Sequence, residues 1–247
     1  MIRNQIHKVL STFQSYGVRA LLMGGQACVF YGAAEFSRDT DFAIAIDSDN
    51  WARLHGALDA LQAKVIAVPP MSHEHLDRGH AIHFRCHHPE ASGLRVDIMS
   101  KMRGVDVFED LWDRRTTIQG ENGAVYEVMS LPDLVCAKKT QRDKDWPMIR
   151  RLIEADRIAC QGIPSIEQAR FWLSEARTPD LLIELAKVFP NEATDLAIQS
   201  RPLLRAALQG DPLGIESALI VEEQQERAAD RAYWGPLKKE LEQLRHS

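Results

Sequence analysis

Five short apolar runs lie in the first hundred residues: ALLMGG, the FAIAI core of SRDTDFAIAID, KVIAV, AIHFRCHH and LRVDIMS. Each is too short for an independent helix and is bounded by turn residues or by a helical pattern, and all but the first carry β-branched or aromatic residues, so each reads as a β-strand. Helical spacing fills the gaps. Residues 2 to 16 repeat apolar positions at Ile2, Ile6, Val9, Leu10 and Phe13 and stop at Gly17. QACVFYGA follows Gly24 and Gly25 as a second helix, and Asp47, Ser48 and Asp49 offer N-caps for a third over about 50–62. Pro69 and Pro70 close KVIAV. HPEASG suits a hairpin connection, so the last two strands should pair antiparallel. From Leu131 onward LPDLVCAKKTQRDKDWPMIRRLIEADRI, FWLSEA and PDLLIELAKVF are helix-like, with prolines at 164, 179, 190, 202 and 212 as punctuation. The expected fold class is α+β: a mixed sheet with flanking helices over residues 1–130, then a helical domain over 131–247.

Bulk properties narrow the functional classes. A chain of 247 residues buries a core without needing a disulfide or a metal to fold. No apolar run approaches the roughly 20 residues that span a bilayer, so no membrane partner is expected. The N-terminal stretch lacks the apolar core and cleavage site of a secretory signal, which gives a cytoplasmic expectation. Cys28, Cys86, Cys136 and Cys160 are scattered without a CxxC pair, as unpaired thiols of a reducing compartment are. A net charge of -5 argues against wholesale nucleic-acid binding but leaves room for a local basic patch. Of the five tryptophans, four read as packing anchors, and Trp146 stands beside a charged segment where it could meet a base.

The chemistry concentrates at the head of the second strand. Residues i and i+2 of a strand point to one side, so Asp39 and Asp41 project together while Thr40 faces away. Two like charges side by side repel, and a divalent cation relieves that repulsion. Asp97 lies within another apolar strand, RVDIM. If the two strands are neighbours, Asp39, Asp41 and Asp97 form one carboxylate cluster able to hold one or two Mg²⁺ ions. The plainer alternative is that Asp39 and Asp41 cap a turn and pair with Arg38 or another cation. Gly24, Gly25 and Gln26 stand where a strand turns into a helix, a place where glycine lets phosphate approach backbone N–H groups.

In order, GGQ, a short helix ending near YGA, RDTDF and a later RVDIM resemble the nucleotidyltransferase superfamily with its polymerase-beta-like fold, over residues 18 to 100. LPDLVCAKKTQRDKDWPMIRRL resembles the lysine, arginine and Lys-Asp segment of AbiEii-type nucleotidyltransferases, a group that includes toxins of toxin-antitoxin and phage-defence systems. The resemblance implies a nucleotidyltransferase-type mixed sheet, nucleotide contacts from Gly24, Gly25, Gln26, Arg38, Lys138 and Arg142, metal on Asp39, Asp41 and Asp97, and Asp97 or Asp145 as proton acceptor. Lys138 is the first choice for phosphate and Lys139 the reserve. Helical spacing puts Lys138, Arg142 and Asp145 on one face, which a solvated helix with ordinary ion pairs would also do. Of two registers, the first is preferred. In one, RDTDFAI carries both acids; in the other, Arg38 and Thr40 align with an R-x-T-x-D-h-D pattern and Ala43 stands where an acid is expected.

Six histidines, His73, His75, His80, His83, His87 and His88, crowd around Cys86. Alternation places His83 opposite Cys86 and separates His87 from His88, so no four ligands converge and structural zinc is not expected. Two readings are left: His73, His75 or Arg78 lies in a loop near the cleft and contacts nucleotide or acceptor, or these are ordinary surface and strand histidines. The leading functional expectation is Mg²⁺-dependent transfer of NMP from an NTP to a hydroxyl acceptor: an RNA 3′ end (tRNA among the candidates), a protein side chain or a small molecule. A cognate antitoxin is a further expected partner. The rival is a nucleotidyltransferase-fold protein that binds or regulates without catalysis. A metal-dependent phosphohydrolase ranks third, because no HD pair is spaced for one.

Overall fold

The computed structural model describes residues 4–120, 123–160 and 162–246. Ile2, expected in the first helix, lies outside them. The chain divides into two compact units, the first formed by Met1–Ala137 with Tyr233–Ser247 and the second by Lys138–Ala232. The division thus falls a few residues after the expected boundary at 130, and the last fifteen residues cluster with the first unit.

The first unit is built on a seven-stranded mixed sheet: β1 Ala20–Met23, β2 Asp39–Ile44, β3 Lys64–Val65, β4 Ile82–Arg85, β5 Arg95–Met99, β6 Thr116–Gln119 and β7 Val125–Val128, in the order β3-β4-β5-β2-β1-β7-β6. β1 is buried along its whole length, as a short, wholly apolar central strand should be. It pairs antiparallel with β2 and parallel with β7, while β2 and β5 run parallel and β4 and β5 antiparallel, the last as the HPEASG connection predicts. Helices α1 Asn4–Ser15, α2 Gly24–Phe30, α3 Ser48–Ala60, α4 His73–Asp77, α5 Phe108–Asp113 and α6 Leu131–Ala137 accompany the sheet. α1 buries Ile6, Val9, Leu10 and Phe13, and the Phe13 ring stacks on Phe42 of β2 at 4.6 Å between centroids. α3 is capped by Asp47, whose side chain accepts from Asn50 N–H. The buried Asn50 amide in turn bonds the Arg19 N–H and C=O and the Ala45 C=O, tying the end of β2 to the start of β1.

Three expectations change. KVIAV narrows to the two residues of β3, because the chain bends from Ile66 on after its N–H has bonded the His83 carbonyl. β6 and β7 stand where no strand is anticipated. The stretch read as one helix from Leu131 is broken, since α6 ends at Ala137 and the next helix begins at Asp145.

Among its described residues the regular structure of the second unit is helical: α7 Asp145–Ala159, α8 Ile166–Glu175, α9 Pro179–Val188, α10 Pro190–Gln199, α11 Leu204–Gln209 and the N-terminal part of α12 Pro212–His246. Pro179, Pro190 and Pro212 open helices, the position where a missing N–H costs least. Its interior holds an ion pair: Arg201 bonds both Glu222 oxygens at 3.1 and 3.0 Å and the Leu173 and Ala176 carbonyls. The guanidinium's donors are met where α8 ends and α12 passes, which makes the pair tolerable in a buried place.

Candidate active site

β4, β5 and the first four residues of β2 alternate in burial. Thr40 and Phe42, Val96 and Ile98, and Ile82 and Phe84 are buried, whereas Asp39 and Asp41, Arg95 and Asp97, and His83 and Arg85 occupy the more open face. The register aligns Asp41 with Asp97 and Asp97 with His83, so an acid, an acid and an imidazole form one row across three adjacent strands. Asp39 faces Arg95 in the next row. Neighbouring strands run about 4.8 Å apart, so the Asp41 and Asp97 carboxylates are within reach of one small cation. The register therefore brings Asp39, Asp41 and Asp97 to the same face of the sheet.

Asp97 is already engaged. Its Oδ1 accepts from Arg95 Nε at 2.8 Å and lies 2.9 Å from His83 Nδ1, and Arg95 Nη2 is 3.1 Å from that same nitrogen. Burial works to raise the Asp97 pKa, but the His83 and Arg95 hydrogen bonds outweigh it and hold the carboxyl below the ordinary value. Asp97 is thus a fixed anion and a weak base. The hydrogen bond to Asp97 raises the Arg95 guanidinium, and the fields of Asp39 and Asp41 add to it. Among the described residues no three His, Cys, Asp or Glu side chains are gathered into a ready metal cage. The donor set nevertheless suits Mg²⁺ chemically, because three carboxylates on one face supply the hard oxygens that this ion takes.

Gly24 explains how the Asp41 carboxylate is accommodated. Its φ is +66°, and a Cβ built on it would fall 2.0 Å from Asp41 Oδ2. The start of α2 therefore lies directly against the acid. Gly25 has a different reason: a Cβ there would meet Ser37 Oγ at 2.6 Å, and that hydroxyl donates to the Asp39 carbonyl at 3.0 Å. Gln26, expected at the nucleotide, is 1% exposed and its Oε1 has no hydrogen-bond partner, so it belongs to the interior and not to the open face. Arg38 is exposed at the bend leading into β2.

Lys138, Arg142 and Asp145 belong to the second unit and do meet, although not on a helix face. Residues 138–144 connect α6 to α7, and three donors converge on Asp145 in the first turn of α7: Lys138 Nζ at 3.3 Å, Thr140 Oγ1 at 2.6 Å and Arg142 Nε at 2.7 Å. Burial pushes the Asp145 carboxyl up, while Lys138, Thr140 and Arg142 together bring it below the ordinary value. A buried, stabilised carboxylate of this kind is a poor proton acceptor, and the 8% exposed Lys138 already holds its anion. Lys139 pairs with Glu175 at 2.8 Å. Trp146 is a packing anchor: it is buried, donates to the Thr140 carbonyl at 2.8 Å, and has the Arg177 and Arg227 guanidinium groups 5.2 and 5.8 Å from its ring.

The histidine-rich stretch is corrected as well. His73 and His75 sit on the short helix α4, not in a loop; His73 Nε2 bonds the Ile46 carbonyl at 2.7 Å, and His75 Nδ1 lies within hydrogen-bond distance of Ser72 Oγ and the Pro70 carbonyl. Arg78 and the buried His80 both bind Glu240, at 2.6 and 2.7 Å. The roles of His83 and Arg95 at Asp97 are absent from the sequence reading. Counting residues outward from the HPEASG connection pairs 85 with 95 and 83 with 97, and that parity was the available signal. No family model matches the chain, and no curated protein matches it.

Proposed function

We propose that the first unit is a Mg²⁺-dependent nucleotidyltransferase domain, of the polymerase-beta-like class and nearest to its AbiEii-type members, that moves NMP from an NTP to a hydroxyl acceptor. One observation carries the reading: Asp41 and Asp97 stand side by side in register, with Asp39 on the same face and the glycine at the head of α2 packed under the Asp41 carboxylate. Asp39, Asp41 and Asp97 are the residues that would hold the ion, which, when bound, aligns the α-phosphate and neutralises charge on the leaving pyrophosphate. His83 and Arg95 keep Asp97 ionised.

A second reading, a domain of this fold that binds without transferring, is favoured by the engagement of Asp97 with both Arg95 and His83. Incubating the protein with each of the four NTPs labelled at the α-phosphate, Mg²⁺ and a mixed RNA or protein acceptor separates the two. The first reading predicts label in a macromolecular product, lost in Asp41→Asn and Asp97→Asn; NTP binding with no label in any product supports the second.

A further inference from the structure

The open face of the sheet carries more than acids. Following the row that contains Asp39 outward, the register places Arg95 beside Asp39, Arg85 beside Arg95 and Lys64 beside Arg85. Three cations thus lie in consecutive cross-strand positions from the sheet edge to the first acid. Lys64 and Arg85 are exposed, and the Arg95 side chain is 39% exposed. Among the described residues only Arg95 has a carboxylate partner; Lys64 and Arg85 have neither an ion pair nor a side-chain hydrogen bond. Like charges directly opposite one another weaken a sheet. Lys64 and Arg85, kept opposite one another without local counter-charge, fit an external anion.

We infer that the Lys64–Arg85–Arg95 row is a track for the phosphodiester backbone of a single nucleic-acid strand whose terminal hydroxyl ends at Asp39 and Asp41. This assignment rests on the transferase reading for what happens at the end of the track, but not for the binding itself. The length of the row favours a strand over a triphosphate. Three strand spacings of about 4.8 Å put Lys64 roughly 14 Å from Asp39 along the sheet. A single strand laid along the row sets more than one backbone phosphate within that distance, as the separate cations of the row require. The chain's net charge of -5 repels a polyanion elsewhere, so a local row would fix where it lands. The same arrangement explains why the row stops at the acids: a backbone phosphate is repelled there, whereas a neutral 3′ hydroxyl is not.

The test is fluorescence anisotropy of a 5′-labelled single-stranded 12-mer, as RNA and as DNA, in EDTA and at several salt concentrations. Wild-type protein should bind both with a salt-dependent affinity. Lys64→Ala with Arg85→Ala should weaken binding at least tenfold and lower the slope of log affinity against log salt by about 1.4, the value for two lost contacts to a single strand. Arg205→Ala, in the second unit, should leave both unchanged. Arg85→Gln gives a second, milder variant, with circular dichroism confirming the fold of each. Unchanged slope and affinity in the double variant overturn the track. So does displacement of the oligonucleotide by poly-glutamate at equal charge, or a loss of NTP affinity with strand binding intact. Strand binding through the row without NMP transfer upholds the track while sinking the proposed activity; transfer with row variants binding normally does the reverse.

Discussion

Replacing Gly24 by alanine tests the coupling between the glycine turn and the acid face. The residue sits at φ +66°, where an L side chain costs about 1–2 kcal/mol. Its new methyl carbon would lie 2.0 Å from Asp41 Oδ2, 2.6 Å from Cγ and 2.8 Å from Cβ. Because the Cβ of Asp41 is itself in conflict, rotating the carboxylate alone does not clear the methyl, and β2 or α2 must shift or Asp41 must leave its rotamer at about 0.5–1.5 kcal/mol. Together the two effects predict a loss of about 1.5–3.5 kcal/mol in urea unfolding. The displacement falls on an acid of the proposed site, where misplacement by about 1 Å costs on the order of a hundredfold in rate. Gly24→Ala should therefore remain folded, lose stability by that amount and lose most of any NMP transfer. Gly25→Ala is the control, since its new methyl meets only the Ser37 side chain, whose Oγ is free to turn away from the Asp39 carbonyl. Its cost should stay below about 1 kcal/mol and shrink further with Ser37→Gly. Equal stability and activity in Gly24→Ala and wild type would refute the packing argument.

Further predictions concern charge and burial. Asp145→Asn strands a nearly buried Lys138 without its anion and should cost about 3–5 kcal/mol in urea unfolding at pH 7, whereas Lys138→Met, which leaves Asp145 its Thr140 and Arg142 bonds, should cost less. Since the folded Asp145 titrates below the 3.8 of an ordinary carboxyl, its contribution is complete above that pH and is lost as pH falls through the depressed folded value. The Asp145→Asn deficit should accordingly shrink in acid; a deficit independent of pH from 7 to 3 would reject the ion-pair account. Asp39→Asn or Asp41→Asn should leave the melting temperature without metal unchanged or raised, because repulsion on the open face is relieved; a drop of several degrees would show that these acids are structural. Burial pushes the Cys86 thiol up to about 11 and Cys28 is buried, so Ellman's reagent at pH 8 should reach Cys136 and Cys160 first and the other two only on unfolding.

The acid face was legible because it obeys local rules. A period of two places Asp39 and Asp41 together, and RVDIM repeats the pattern around Asp97. Their adjacency depends on β2 and β5 being neighbours, and that pairing joins segments more than fifty residues apart in the chain. β6 and β7 escaped notice for the same kind of reason. TTIQ and VYEV are four residues each, the first with no buried residue and the second with two, and β7 is held by its parallel contact to β1 at Leu22 and Val128, which no local pattern announces. The opposite error arose after Leu131. No glycine or proline stops a helix in 138–144, and its lysine, glutamine and arginine suit one, yet Thr140 and Asp145 bond one another across the break, as Ser, Thr and Asp do when they compete with a helix for backbone and side-chain partners. The grouping of Lys138, Arg142 and Asp145 was anticipated from helical geometry and is achieved by a connection. Side-chain engagement stayed hidden altogether: that His83 and Arg95 grip one oxygen of Asp97 follows from rotamers and not from periodicity.

The most direct test of the central claim is a crystal structure with Mg²⁺ and a nonhydrolysable NTP. The expected result is an ion bound by Asp41 and Asp97 at about 2.0–2.1 Å, with Asp39 joining it or a second ion and the α-phosphate completing the coordination. An Asp97 still held by Arg95 and His83, with nucleotide lying away from the β2–β5 face, would contradict it.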